Sequence, residues 1–393
     1  MRSYNGTMLD YINEELAELK RAGLYRSLKK IDKTDGRLVE INGKKLINFC
    51  SNNYLGLANH PKVIEAANLA CQEFGAGSGA SRLISGNLEI HEKLEARIAG
   101  FKSRSAALVF PTGFMANLGV IGSLMDENDT IIIDRLNHAS IVDACRLSKA
   151  KLQVYPHKDM AALGQVLQRS DKFKKRLIVT DSIFSMDGDI APLPQIVELA
   201  KKYDALTMID EAHATGVLGT RGRGLEEHFG LEGSVDIIMG TLSKAVGSLG
   251  GFVAGSQELI DLLKNKARSF IYTTALPPSA CAASLAAFEL IENEPEHLGN
   301  LRENIKTLTR LRSTAPPLPE GEGKTPILPI IIGPAEKTVE ISQQLFEQGS
   351  FISAIRPPTV PKGQSRLRLT LTALHTKEDI ECLASLLRAL IPA

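Results

Sequence analysis

Between about residue 88 and residue 254, short apolar segments alternate with helical patterns, and this alternation constrains the fold more than any other feature of the chain. A helical face of Ile90, Leu94, Ile98 and Phe101 leads into an apolar run, Ala106–Phe110. A helix is predicted after Gly113, a strand over Thr130–Asp134, a helix after His138 and a strand over Leu152–Tyr155. The pattern continues with strand Arg176–Asp181, helix Pro192–Tyr203, and strands Leu206–Asp210, Val235–Gly240 and Gly251–Ala254. Strands this apolar, separated by helices, belong to a mostly parallel sheet covered on both faces. The expected fold class is α/β.

The flanks read differently. Leu9, Ile12, Leu16 and Leu19 fall on one helical face, and Gly23 can end that helix. Asn42-Gly43 between two short alternating segments reads as a hairpin turn, and Pro61 opens a helix to about Phe74. After about residue 290 come long helical patterns, a Pro/Gly/Glu-rich loop over Pro316–Gly323, and strands near Ile327–Ile332, Ile352–Ile355 and Leu367–Leu371. A final helix follows, with Thr376 and Asp379 as its capping box. The expected organisation is an N-terminal helix and hairpin segment (1–45), a large domain (46–285) and a smaller α+β C-terminal domain (286–393).

Charge and cysteine usage exclude several function classes. Lys plus Arg is 46 and Asp plus Glu is 45, so the net charge is +1 and nothing favours a polyanion such as nucleic acid as the main partner. No apolar run approaches a membrane span, and an amphipathic helix stands where a signal peptide would carry its apolar block. The five cysteines are scattered and form no CxxC, which fits a reduced cytoplasmic protein without a cysteine-based metal site.

Two motifs are set aside. Gly75–Ala80 matches G-x-G-x-x-A, but a helix precedes it where a dinucleotide site needs a strand. Asp210-Glu211-Ala212-His213 spells a helicase box, yet the chain has no phosphate loop of the GxxxxGK[ST] type. What remains is a set of groups at predicted strand ends, where ligands sit in open α/β sheets. Gly113 and Phe114 open a helix after Ala106–Phe110 and suit an anion. His138 follows Thr130–Asp134 and can stack on a planar ring. Asp210 and His213 follow Leu206–Asp210, and a buried acid there needs a partner. Thr241 and Lys244 follow Val235–Gly240; a buried lysine is a nucleophile for a carbonyl. Taken singly, each also fits an ordinary turn, cap or salt bridge. Together they supply an anion cradle, a stacking imidazole, an acid for a ring nitrogen and a Schiff-base lysine, the parts that hold pyridoxal 5'-phosphate (PLP).

The chain resembles the α-oxoamine synthase family of PLP enzymes over nearly its whole length. The matching strings are Ser51–Leu57, Asn137–Ser140, Phe184–Gly188, Asp210–His213, Gly240–Lys244 and Ala354–Pro361, with Arg366–Thr370 following. The resemblance implies a fold-type-I aminotransferase-like architecture in a homodimer. It implies Lys244, His138 and Asp210 as catalytic residues. It implies cofactor contacts from Gly113, Phe114, His138, Ser185, Asp210, His213, Thr241 and Lys244, with Thr273 or Thr274 reaching the phosphate of the partner subunit. Arg26, Asn52, His138, Arg356 and Thr359 would contact substrate. The Ala354–Pro361 string most resembles the branch that condenses L-alanine with a pimeloyl thioester, on CoA or acyl carrier protein, in biotin biosynthesis. The alternative branch joins glycine to acetyl-CoA. Glu211 stands where Asp is common, and is expected to face away from the ring.

Overall fold

The computed structural model describes residues 7–22, 24–311 and 323–391. Gly23 and most of the Pro316–Gly323 loop lie outside the described residues. The described chain divides into two compact units, one holding Ser51–Leu328 with the segment from Thr370 onward, the other the segment up to Cys50 with Pro329–Leu369.

The larger unit is built on a seven-stranded sheet. Its strands are β1 (Ala106–Phe110), β2 (Thr130–Asp134), β3 (Lys151–Tyr155), β4 (Arg176–Asp181), β5 (Leu206–Asp210), β6 (Ile237–Thr241) and β7 (Gly251–Gly255), in the spatial order β1-β7-β6-β5-β4-β2-β3. Pairings from β3 through β6 are parallel; β7 runs antiparallel to both β1 and β6. The sheet is therefore mostly parallel, as the alternating pattern predicts. The register sets Gly251 opposite both Phe110 and Thr241, so the start of β7 lies on the rim where the parallel strands end.

Strand residues alternate between the two faces of the sheet, and both sets are buried; Val109, Ile132, Ile178, Ile209, Ile238 and Phe252 make up one of them. Leu108, Phe110, Ile131, Ile133, Leu177, Val179, Met208, Met239 and Val253 are all buried, together with Val120 and Ile121 of helix α1 (Gly113–Leu124). Each such side chain contributes roughly 1.5–3 kcal/mol by leaving water. Helix α2 (Ala139–Ser148) follows β2 and packs on α1. The strand expected over Val235–Gly240 begins two residues later. Asp236 is engaged elsewhere: its carboxylate accepts the Thr207 backbone N–H and hydroxyl, both at 2.8 Å.

The final helix, Lys377–Leu390, carries the expected capping box: the Asp379 N–H donates to Thr376 Oγ1 at 3.3 Å, and the Thr376 N–H to Asp379 Oδ2 at 2.8 Å. It packs against Glu296–Leu311 within the larger unit. The expected limits after residues 45 and 285 follow motif content. The compact units divide after Cys50, Leu328 and Leu369.

In the smaller unit, Leu38–Ile41 and Lys44–Asn48 pair antiparallel across Asn42 and Gly43, whose φ angles of 52° and 74° suit a tight hairpin. Lys33–Thr34 and Ser350–Phe351 complete that sheet. The strand expected over Ile352–Ile355 is split: Ser350–Phe351 joins the hairpin sheet, and Ser353–Ile355 pairs with Ser365–Thr370 in a three-stranded sheet. The N-terminal helix is Met8–Arg21, closed by a Thr7–Asp10 capping box, and none of its residues is buried.

Candidate active site

All of the rim groups predicted at strand ends lie in the larger unit. Asp210 ends β5 and is 4% exposed. Its Oδ1 accepts the Ala212 N–H and its Oδ2 accepts from Asn117 Nδ2, both at 2.9 Å. Asn117 sits on α1 and donates its second amide hydrogen to Ser140 Oγ at 2.9 Å. Ser140 Oγ in turn lies 2.8 Å from His138 Nδ1. One chain of hydrogen bonds thus joins the acid to the imidazole. Crowding by surrounding protein lowers the His138 pKa; Asp210 opposes this and Lys244 adds to it. A neutral ring that accepts at Nδ1 follows, carrying its proton at Nε2.

Asp181 lies beside Asp210 across β4 and β5, and its Oδ2 accepts the His138 backbone N–H at 2.8 Å. Burial, and then the neighbouring Asp210 charge, hold its carboxyl well above the usual carboxylate range. Two like charges on adjacent strand ends cannot both be sustained in a dry site, so Asp181 takes the neutral role.

Lys244 is half-buried in the turn after β6, with its Nζ 2.9 Å from His213 Nε2. His213 Nδ1 is 2.7 Å from the Tyr54 hydroxyl, which donates to Asn52 Oδ1 at 3.1 Å. The consistent tautomer has Lys244 donating to Nε2 and Nδ1–H donating to Tyr54. This brings Lys244, His213 and Asn52 together in one row.

Gly113 is the first residue of α1, behind the cap Thr112, whose Oγ1 accepts the Met115 N–H at 3.2 Å. The first amides of a helix have no intrahelical acceptor and favour an anion. A Cβ at Gly113 would sit 3.1 Å from Met239 Cε and 3.5 Å from Thr241 Cβ. One at Gly251 would lie 2.6 Å from Gly113 N and Cα. Thr241 Oγ1 donates to the Gly250 carbonyl at 2.7 Å and accepts the Ser243 N–H at 3.2 Å. Phe114 is 43% exposed.

Ser185 is half-buried in the segment after β4. Thr274 is exposed, and the Thr273 hydroxyl donates to the Thr274 carbonyl at 3.5 Å. Arg26, Arg356 and Thr359 belong to the smaller unit. There Arg26 Nη2 approaches Thr359 Oγ1 at 3.4 Å, and all three line a cavity of about 90 Å³. Two guanidinium groups on one small cavity suit a carboxylate.

Glu211 does face another way. It is buried, pairs with Lys102 and accepts the Leu225 N–H at 2.6 Å. Away from the rim, His60, Glu294 and His297 place ligand-type atoms within 4.8 Å of one another. Glu294 Oε1 already takes the Lys62 ammonium at 2.6 Å.

Asn117, Asp181 and Tyr54 have no role in the sequence reading. Each carried a signal: Asn117 is a lone amide in an otherwise apolar helix, and Asp181 ends its strand as Asp210 does. Tyr54 sits within one of the matched strings.

Residues 44–387 match the family described as aminotransferase class I and II. The chain is 50% identical over 375 residues to the 8-amino-7-oxononanoate synthase of Thermoanaerobacter pseudethanolicus, covering 95% of this chain and 94% of that one. It is 46% identical to 8-amino-7-oxononanoate synthase 1 of Bacillus subtilis, covering 95% of each. Among solved structures it resembles Sphingomonas wittichii serine palmitoyltransferase, with a TM-score of 0.92 and 32% identity over 98% of each chain. It also resembles the 8-amino-7-oxononanoate synthase of Francisella tularensis, with a TM-score of 0.76 and 29% identity over 88% of this chain and 98% of that one. With matches spanning nearly its whole length, the chain belongs to the class I and II aminotransferase family and, within it, to the α-oxoamine synthases.

Proposed function

We infer that this chain is a PLP-dependent acyltransferase, an 8-amino-7-oxononanoate synthase acting in biotin biosynthesis. It joins L-alanine to a pimeloyl thioester, on CoA or acyl carrier protein, and releases 8-amino-7-oxononanoate, CO2 and free thiol. One observation carries the reading: lysine, acid and imidazoles cluster on the rim of a chain about half identical to proteins of that name.

The residues present fit the cofactor. Asp210 offers a buried carboxylate that accepts from two neutral donors, and a protonated ring nitrogen complements it. Gly113 offers unpaired amides at a helix N-terminus suited to phosphate, and Gly251 lies so close to its main chain that neither position has room for a larger side chain. When bound, PLP supplies an electron sink for charge developing at the substrate α-carbon.

The chain's own groups then divide the work. Asp210 holds the proton on the ring nitrogen. His138, kept neutral, stacks on the ring. His213 would bond the ring's phenolic oxygen, and Ser185 would also line the cofactor. The Gly113 and Phe114 amides and Thr241 bind the phosphate, with Thr274 contributed to the partner's site in a homodimer. Lys244 anchors the cofactor and moves the α-proton. The alanine α-carbon then bonds to the thioester carbonyl carbon as the C–S bond breaks and the thiol leaves. The carboxyl group departs as CO2, and a proton restores the α-carbon. Arg356 is assigned to the amino-acid carboxylate, and Asn52, His138, Arg26 and Thr359 to further substrate contacts. The blocks 1–45, 46–285 and 286–393 remain our working division of these roles. No helix among the described residues is long and apolar enough to cross a membrane, and we place the enzyme in the cytoplasm.

The test is thiol release with PLP, comparing pimeloyl-CoA plus L-alanine against acetyl-CoA plus glycine. Release with the first pair alone is expected. Release with the second pair alone would move the chain to the glycine branch and overturn the substrate assignment.

A further inference from the structure

His157 stands in the loop after β3 and is bonded on both ring nitrogens. Nδ1 donates to Asp134 Oδ1 and Nε2 to Asp189 Oδ2, each at 2.9 Å. A ring that donates twice to carboxylates is an imidazolium. Its neighbour completes the arrangement: the Lys158 N–H donates to Asp134 Oδ2 at 2.8 Å, and Lys158 Nζ lies 2.9 Å from Asp189 Oδ2. Phe184 meets the His157 ring edge-on, with centroids 4.4 Å apart.

The two carboxylates belong to different loops, and each loop carries a group assigned to the cofactor. Asp134 ends β2 and organises the turn to His138: its Oδ1 also accepts the Leu136 N–H at 2.8 Å, and its carbonyl accepts the Asn137 N–H at 3.2 Å. Asp189 closes the turn that carries Ser185: its carbonyl accepts the Phe184 N–H at 3.0 Å, while the Gly188 N–H donates to the Phe184 carbonyl at 2.8 Å. The bridge between Ile183 and Ile190 seals the base of that turn.

We propose that His157 is a positioning residue that clamps the His138 loop to the Ser185 loop through its paired contacts with Asp134 and Asp189. The proposal rests on the PLP reading above. Neither carboxylate can leave without stranding a buried charge, so the two loops hold one relative position. The groups facing the ring are Asp134 from β2, Asp189 from the Ser185 turn and Lys158 from its own loop. Tyr155, beside Asp134, titrates too high to compete. Burial pushes the ring's pKa down, but the hydrogen bonds and charges of Asp134 and Asp189 outweigh it and raise the pKa to about 9. The clamp is therefore at full strength below the ordinary histidine value of about 6.5 and is lost as pH rises through about 9.

The experiment compares the PLP-loaded parent with His157→Gln and Asp189→Asn from about pH 6 to about pH 10. Three quantities are followed: the visible cofactor band, kcat and KM for L-alanine in thiol release, and Tm. In the parent, the band and kcat should hold to about pH 9 and then change together. In both variants kcat at neutral pH should fall about tenfold, KM for alanine should stay within about twofold, and the alkaline change should move or vanish. Asp189→Asn keeps the side-chain shape and serves if His157→Gln fails to fold. Variants that lose Tm while the band and kcat match the parent at every pH would overturn the proposal. A parent that binds PLP but releases no thiol from either substrate pair would fail the substrate reading alone. The band and its pH profile on adding L-alanine would then still decide the role of His157. A parent with no cofactor band would overturn both.

Discussion

At the residue scale, Lys244 and Glu211 are both charged groups just past strand ends, and they meet opposite fates. Lys244 Nζ reaches His213 Nε2 from a half-buried position, where a bound molecule can still meet it. Replacing it with Ala should abolish thiol release while leaving the fold intact, because the removed tail is not a core element. Circular dichroism with the thiol assay checks this; turnover near the parent level would contradict the assigned role. Glu211 is sealed with Lys102, both side chains 1% exposed. Lys102 also donates to Thr215 Oγ1 at 2.9 Å and to the Arg223 carbonyl at 2.6 Å. Glu211→Ala would leave a buried ammonium without its counter-charge, at a cost of about 3–5 kcal/mol. Urea denaturation should register that loss as a lower midpoint. A change below about 1 kcal/mol would mean that water replaces the carboxylate.

Elements matter here chiefly through where they end. Five strand ends, after β1, β2, β4, β5 and β6, deliver Gly113, His138, Ser185, His213 and Lys244 to one rim, because β2, β4, β5 and β6 pair in parallel and β1, antiparallel to β7 as β6 is, runs in the same direction as they do. The antiparallel β7 contributes by where it begins, since its first residue faces the start of α1. Gly251→Ala would drive a Cβ into Gly113 N and Cα and the Thr112 carbonyl, each 2.6 Å away, all of it backbone. No side-chain rotation relieves such a contact. The expected outcome is a marked loss of PLP affinity, at least about tenfold, with any loss of stability read separately by denaturation. Titration of the apo-protein by its visible absorbance measures it. Unchanged affinity would show that the cradle lies elsewhere. The same element scale shows what the sequence made legible. The limits of Pro61–Phe74, Ala106–Phe110, Thr130–Asp134 and Arg176–Asp181 agree with periodicity, since each is a uniform run with clear stops. The shift of β6 by two residues and the break at Ile352 were not legible. Both depend on partners distant in sequence: Thr207 for Asp236, and the hairpin sheet for Phe351.

For the whole molecule, the strings assigned to the chemistry could be read in the sequence, whereas the groups bonded to them were largely hidden. Lys244, Asp210 and His138 stand out as polar residues after apolar strands. Asn117 joins Asp210 to Ser140 from a separate helix, and nothing local marks the distance between residues 117 and 210. Compact grouping was hidden for the same reason: the helix Lys377–Leu390 shows its apolar face in sequence but not that Glu296–Leu311 will cover it. If PLP binds only the folded chain, its removal should lower the unfolding temperature, and excess PLP should raise it with the logarithm of its concentration. A hundredfold excess over Kd corresponds to about 2.7 kcal/mol. Differential scanning fluorimetry across a PLP series checks this, and a flat response would argue against a cofactor bound at the sheet rim of the larger unit.

The meeting of Gly113 with Gly251 bears on how such a site can change over evolutionary time. Where main chain lies directly against main chain, there is no side chain to trade for another. That floor cannot be retuned by degrees; a substitution there either is refused or breaks it. Variation in what the enzyme accepts must then accumulate elsewhere, on surfaces where side chains face open space, as Phe114, Arg26 and Thr359 do. A lineage built on this chain would keep its cofactor chemistry while its choice of acyl chain and amino acid drifts.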